Sequence, residues 1–557
     1  MKKILFLFLF IFYAKGLTAQ LVPRYDQTRE GHLVFHDIKT DSQGKIMPWY
    51  SDDLGKSYSH NINLLWNFWQ NMRTDQNGLP YYMNHQVWRP LPNDPRGMGG
   101  DQFAMVLSSW QLLYQYTGDE NVRENMKFIA DYYLTHSLSP ENAVWPNIPY
   151  PYNTLVYSGI FDGDMIEGKH VTQPDKAGSF GFELVQLSKI TSRFQWNPVY
   201  ADRYLEQAVL IANTLAAKTK VGDNDHSPMP FKVNAMTGAV AKLRNNWGDG
   251  GVSQESSYTT NWVGTLRLFE ELIKLKKGNL PAYQKAHKII LDWMKAYPLQ
   301  TNKWGPFFED IQGWSDTQIN AVTLARYMME NPEKFPNWKT EVNGIFKWVY
   351  EKLGNKQWEK YGVTVVNEQT AYQTPGNSHS SRQAADELLY ASLSGDNSRT
   401  QNAIRMLNWA TYMVDKDGKN NYPRDEVWFT DGYGDYIRHY LRAMATKPDL
   451  APADENHILH ATSILNLVDY AGNFNTTLGN EVPQADLDKV FLYYRSTEKI
   501  GIETIRLTAK PSKILVGKKE IKELQMLDKE GFMWMPMKKG GLLKIRHETE
   551  EAITIYK

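Results

Sequence analysis

Two stretches of the chain set carboxylates among aromatic side chains. One runs Trp304-Gly305-Pro306-Phe307-Phe308-Glu309-Asp310-Ile311-Gln312-Gly313-Trp314-Ser315-Asp316. The other runs Arg424-Asp425-Glu426-Val427-Trp428-Phe429-Thr430-Asp431-Gly432-Tyr433-Gly434-Asp435. An acid flanked by aromatic surface loses hydration, which raises its pKa toward the value a general acid needs near neutral pH. Two such carboxylates on either side of a glycosidic bond can hydrolyse it: one protonates the leaving oxygen, the other activates water or attacks directly. Glu309, Asp310, Asp425, Glu426 and Asp431 are therefore the candidate catalytic acids. Plainer roles also fit, a solvated turn for Glu309 and Asp310 and an ion-paired scaffold around Arg424. Spacing along the chain does not give separation in space, so inversion and retention both stay open.

A second chemistry is also represented. β-Elimination on a uronic acid needs Arg, Asn or His to neutralise the carboxylate, and a His or Tyr to take a proton. Asn84-His85, Tyr258, Asn261, Tyr433 and the pair His379 and Arg382 supply those types. The wider set of candidate substrate-binding residues is His85, Trp88, Arg89, Asp101, Trp145, Tyr258, Trp262, Trp314, His379, Arg382, Arg424, Trp428 and Tyr433. Aromatic faces among polar groups suit sugar rings. The same aromatics would also serve as plugs at helix ends. Asp101, Asp316 and Asp431 could equally cap helices, and a lone His such as His379 could be a structural hydrogen bonder.

These residues sit in six rich loops, around Trp88 to Asp101, Trp145 to Phe182, Trp247 to Trp262, Trp304 to Asp316, Tyr372 to Asp386 and Tyr422 to Tyr436. Each leads into a helix, and plain connections lie between. Apolar spacing predicts helices over Ser59–Arg73, Asp101–Tyr116, Asn121–His136, Gly178–Ser192, Pro198–Thr219 and Ser256–Leu275. It predicts six more over Pro281–Tyr297, Ser315–Glu330, Asn337–Leu353, Ser380–Leu393, Arg399–Val414 and Thr430–Ala445. Two kinds alternate. Arg399–Val414 carries one apolar stripe, as an outer helix does, whereas Thr317–Met329 is apolar or small nearly all round, as an inner one is. Twelve helices in that alternation close into an (α/α)6 toroid, spanning about residues 59–450. A small antiparallel β domain is expected after it within 451–557, from runs such as Val490–Tyr494, Thr504–Ala509, Ser512–Val516, Leu543–His547 and Ala552–Tyr556.

Composition narrows the function further. The 557 residues balance 62 basic against 62 acidic side chains. No basic field is present to draw in nucleic acid, so an anionic substrate would need a local Arg cluster. Residues 1–19 read as a secretory signal: Lys2 and Lys3, the apolar Ile4 to Phe12, then Leu17-Thr18-Ala19 before Gln20. An irregular lead-in follows over 20–58. Export to the periplasm or beyond, with no membrane span after cleavage, is the expectation. Cysteine is absent, which removes thiol catalysis and thiolate metal sites. No phosphate loop, metalloprotease helix or EF-hand appears, and Asp162, Asp164 and Glu167 lack a full calcium-ligand spacing. No cofactor and no metal site are expected.

Over about Ser59 to Ala445 the chain resembles the six-hairpin, (α/α)6-toroid carbohydrate-active enzymes of exported bacterial polysaccharide-degrading systems. The resemblance rests on helix alternation with rim loops such as Phe307 to Ser315. It implies sugar chemistry without choosing the reaction, since the group includes unsaturated uronyl hydrolases, other uronidases and lyases. A glycoside hydrolase acting on a glycan with uronic acid is the leading expectation. A lyase working through His and Tyr is the alternative, and a non-catalytic glycan-binding protein the third.

Overall fold

The computed structural model describes residues 30–84, 100–155, 158–164, 166–191, 198–243, 254–308, 314–421, 423, 433–470 and 488–557. Twelve long helices dominate the described residues: α1 (Leu54–Gln70), α2 (Gly100–Thr117), α3 (Glu120–His136), α4 (Pro174–Thr191), α5 (Pro198–Lys218) and α6 (Val263–Leu275) come first. They are followed by α7 (Leu280–Ala296), α8 (Gln318–Glu330), α9 (Trp338–Leu353), α10 (Asn377–Ser394), α11 (Thr400–Thr411) and α12 (Tyr433–Thr446).

The alternation of burial follows the residue pattern. Helix α10 is buried at every position from Asn377 to Leu388, because it is packed on all sides. Helix α9 buries Val342, Ile345, Phe346, Val349 and Leu353 on one stripe, so it covers the outside. Helices α2, α4, α6, α8, α10 and α12 pack each against the next, and α12 returns to α2 to close the ring. The other six lie around it, with α1 packing on α11 and α12. This is an (α/α)6 toroid. In each hairpin the outer helix runs back, so the inner helices all start at one mouth and end at the other.

Small residues let the inner helices approach. A Cβ on Gly178 of α4 would lie 1.9 Å from Thr265 Oγ1 on α6, and one on Gly264 would lie 2.3 Å from Ser179 Oγ. Gly178→Ala is accordingly expected to cost about 1–3 kcal/mol by overpacking. Chemical denaturation reads it; an unchanged midpoint would remove close approach as the reason for that glycine.

At the C-terminus two antiparallel sheets follow the toroid. Their strands are β1 (His457–Ala461), β2 (Leu465–Tyr470), β3 (Val490–Ser496), β4 (Gly501–Leu507), β5 (Lys513–Val516), β6 (Lys519–Glu520), β7 (Gly531–Pro536), β8 (Gly541–His547) and β9 (Ile553–Tyr556). One sheet has the order β1-β4-β8-β7 and the other β2-β3-β9-β5-β6. The first two strands meet the far ends of the inner helices. Tyr470 donates its hydroxyl to Gln115 O at 2.6 Å, and His457 stacks on Tyr116 at 3.7 Å. Lys274, at the end of α6, reaches Glu498 at 3.1 Å. The sheets thus cover the C-terminal mouth.

The structure departs from the sequence expectation in two places. The stretch 256–262 is irregular rather than helical, because Thr259 and Thr260 spend their hydroxyls on Pro306 O and Trp304 O. Strands β1, β2 and β7 lie where the pattern suggested no strand; β1 and β2 take up much of an apolar run that reads equally as helix. No helix among the described residues is long and apolar enough to cross a membrane.

Candidate active site

The inner helices leave a small cavity of ≈ 90 Å³ that opens to solvent. Its walls include Met105 and Ser108 of α2, Ser179 and Glu183 of α4, Gly264 and Arg267 of α6, Thr323 of α8, and Arg438 and Arg442 of α12. Lys176, Asn261 and Phe307 line it at the N-terminal mouth. Ser108, Ser179, Gly264 and Thr323 are small, and the space exists where they face inward.

Among the described residues, one carboxylic acid stands on the wall of this cavity. Glu183 is 7% exposed and accepts a hydrogen bond from Gln111 Nε2 at 2.9 Å. Among the described residues no cation comes within ion-pair distance of it. Burial pushes its carboxyl up to about 7, even though Arg438, Arg267 and Arg442 pull the other way. It is therefore protonated through much of the neutral range, as a proton donor to a leaving group must be.

The mouth is held by polar clasps. Lys176 Nζ pairs with Asp175 Oδ2 at 2.9 Å, donates to Phe307 O at 2.9 Å and sits 3.7 Å above the Phe307 ring. Asn261 Nδ2 donates to the same Asp175 oxygen at 3.0 Å. Together they tie α4, the 256–262 stretch and Phe307 to one another. Asp316 is a second clasp. Its Oδ1 accepts from Trp304 N at 2.7 Å and Gly305 N at 2.9 Å, and its Oδ2 accepts from Trp314 Nε1 at 3.1 Å. It does not cap α8, whose N-cap is Thr317 with no side-chain cap bond. Asp316→Ala leaves two backbone donors and an indole unanswered, an expected loss of about 1–3 kcal/mol, with weakened glycan binding rather than slowed turnover. A rise in KM at unchanged kcat is the readout, and a pure kcat effect would contradict a positioning role.

Arg382 belongs to a buried node rather than to an open surface. Asp435 pairs with Arg382 and Arg438, accepts from Ser378 Oγ, and lies 3.0 Å from His439 Nε2. Arg382 Nη1 also donates to Gln318 Oε1 at 2.8 Å. With its charge answered there, Arg382 is not free to neutralise a uronate, as the elimination scheme would require. Its neighbour His379, in the first turn of α10, is buried with both ring nitrogens lacking a hydrogen-bond partner. The Phe308 ring lies 5.7 Å away. Burial, reinforced by Arg382, pushes the imidazole down to about 3, so it is neutral.

The remaining aromatic candidates divide. Trp314 is partly exposed and forms a rim pocket with Tyr258, Lys303, Pro306, Asp225, His226 and Glu255. Lys303 Nζ lies 4.7 Å above Tyr258 and 4.9 Å above Trp314. Trp262 is fully buried and Trp145 is 5% exposed. Both are plugs: Trp262 bonds Thr259 O, and Trp145 lies under Lys218 of the outer helix α5. Asp162 and Asp164 are answered by Lys169 and Lys232.

Glu309, Asp310, His85, Trp88, Arg89, Arg424, Asp425, Glu426, Trp428 and Asp431 lie outside the described residues. Asp101 and Tyr433 fall within α2 and α12, with their side chains outside the description. Phe308 and Trp314, which flank the segment holding Glu309 and Asp310, are both at the mouth. Sequence reasoning passed over Glu183, Arg267, Arg438 and Arg442. Their signal is a charged residue inside a helix that is otherwise small or apolar, and for Arg438 and Arg442 a four-residue spacing on one face.

No family model matches the chain, and no curated protein matches it. Solved structures do. A sugar epimerase from a ruminal bacterium aligns with a TM-score of 0.50 at 13% identity, over 69% of this chain and 97% of that one. A cellobiose 2-epimerase from Spirochaeta thermophila gives 0.49 at 13% identity, over 71% and 97%. A family 76 glycoside hydrolase from a bovine Bacteroides thetaiotaomicron strain gives 0.43 at 11% identity, over 71% and 77%. Likeness at this identity is one of fold. The likeness to the sugar epimerase accords with the (α/α)6 toroid that the helix packing shows.

Proposed function

We propose that the chain is an exported carbohydrate-active enzyme that hydrolyses glycosidic bonds, with the sugar entering at the N-terminal mouth. Glu183 carries this reading: it is a carboxylic acid in the lumen cavity, its pKa raised by burial, with no ion-pair partner among the described residues. In the reaction it gives its proton to the leaving oxygen while water attacks the anomeric carbon. A second carboxylate takes the proton from that water or attacks in its place. Glu309 and Asp310 are the first candidates, by their place in the sequence between Phe308 and Trp314. With the C-terminal mouth covered by β1 and β2, the lumen suits a chain end rather than a strand passing through. Tyr258 and Trp314 offer a further sugar contact at the rim. That toroid neighbours act on sugars supports the substrate class.

A second reading has its own observation. His379 is neutral, and among the described residues its ring nitrogens make no hydrogen bond, with Glu368 Oε1 3.8 Å from Nδ1; that fits a base that removes a proton from a sugar carbon, the step common to elimination and epimerisation. Incubation with a panel of glycans separates the two. Hydrolysis yields new reducing ends with no ultraviolet enoate band. Enoate absorbance, or deuterium entering the sugar from heavy water without new ends, would transfer the chemistry to His379. Binding with no reaction at all would remove both.

A further inference from the structure

Among the described residues, the guanidinium groups in and around the lumen outnumber the carboxylates that pair with them. Asp435 serves both Arg382 and Arg438. Glu330 serves both Arg267 and Arg326, and Asp386 also pairs with Arg326. Arg442 lines the cavity one helical turn below Arg438, and among the described residues it has neither an ion pair nor a hydrogen bond. Glu183, the remaining acid on the cavity wall, is protonated up to about 7 and so supplies little countercharge below that pH. Lys176 at the mouth is already matched by Asp175. A surplus of positive charge in a partly desolvated cavity is costly, and an anion entering from the mouth relieves it.

We infer that the lumen binds an anionic group carried by the sugar, a carboxylate or a sulfate ester, with Arg442 as its direct partner. The inference deepens the reading of the lumen as the sugar site and rests on it for the sugar. Arg442 is half-buried and lines the cavity; among the described residues it has no ion pair or hydrogen bond to give up to a ligand, and the carboxylates of Asp386 and Glu330 act on it only through space. Arg267 and Arg438 flank it with their own charges partly offset. The acidic group would then lie toward the floor of the lumen, so the terminal residue of the chain is the one that bears it.

Calorimetry on the full chain tests this without any turnover, because monosaccharides contain no bond to cleave. Glucuronic and galacturonic acids are titrated against glucose and galactose at constant ionic strength, with inorganic sulfate as a third arm. The expected result is binding of at least one acidic sugar about ten-fold or more tighter than its neutral counterpart, the scale of one charge-assisted hydrogen bond. Arg442→Gln should remove that preference, and Arg442→Lys should keep part of it. Since Arg442 makes no ion pair or hydrogen bond among the described residues, Arg442→Gln should melt no lower than the wild type. Sulfate that competes with the uronic acid places both anions at one site. Sulfate binding lost in Arg442→Gln, with no uronate binding, assigns the group as a sulfate ester. Equal affinity for acidic and neutral sugars in the absence of sulfate binding, or a preference that survives Arg442→Gln, overturns the inference. Neither result touches hydrolysis, which the product assay tests separately.

Discussion

Glu183→Gln is expected to lower kcat roughly 10²–10⁴-fold, the usual contribution of a positioned general acid, while KM changes little. Glutamine keeps the shape and can still accept the bond from Gln111, but it has no proton to give. The wild-type rate should fall as pH rises through about 7, where burial has placed the carboxyl. Wild-type stability falls over the same pH range. A carboxyl whose folded pKa is raised stabilises fully below its unfolded value of 4.5, and that contribution is lost as pH rises through the folded value. On the alkaline side of neutral, wild type must therefore bear a buried ionised acid that the variant lacks. Glu183→Gln should be the more stable protein there, by a few kcal/mol. Glu387 and Asp469 are also pushed up to about 7 by burial, so the wild-type curve alone mixes three groups. The difference between variant and wild type isolates one. A variant of undiminished kcat and unchanged alkaline stability would show that Glu183 is neither the donor nor a buried acid.

Asp435→Asn should be the most destabilising of the single changes considered, at about 3–5 kcal/mol. Burial alone would raise this carboxyl, but Arg382 and Arg438 outweigh it and hold it well below the ordinary value. Removing the charge strands two guanidinium groups in a site where neither has a full alternative. A depressed folded pKa means the contribution is present above the ordinary carboxylate value and is lost only as pH falls through the folded one. Asp435 should thus continue to stabilise the toroid in acid that has already neutralised ordinary surface carboxylates. Denaturant titration at neutral pH gives the magnitude. A loss below about 1 kcal/mol, typical of a surface pair, would contradict the picture of a buried node joining α10 and α12.

The helices were legible because each inner and outer sequence keeps its own pattern of burial over several turns. Asn377–Ser394 and Thr400–Thr411 illustrate the contrast: one is covered nearly all round, the other on a stripe. Where local preference competes with a distant partner, the pattern misleads. Residues 256–262 have helix-compatible types, yet Thr259 and Thr260 are claimed by carbonyls more than forty positions away. Asp316 has the position of a cap and instead clasps Trp304 and Gly305. The site was less legible than the fold. Loop acids draw attention because they stand among aromatics, whereas Glu183 is one acid in the middle of a helix. Only closure of the ring decides that its face looks into a cavity. Arg382 was visible as a candidate, but its engagement by Asp435, fifty-three positions later, was not.

The most direct test of Glu183 as proton donor compares two leaving groups on one sugar. Wild type and Glu183→Gln are assayed on a cleavable oligosaccharide and on the same sugar carrying a dinitrophenolate, which departs without protonation. The variant should be severely slowed on the oligosaccharide and close to wild type on the activated substrate in the step that expels the leaving group. Equal impairment on both substrates, or none on either, would contradict the assignment.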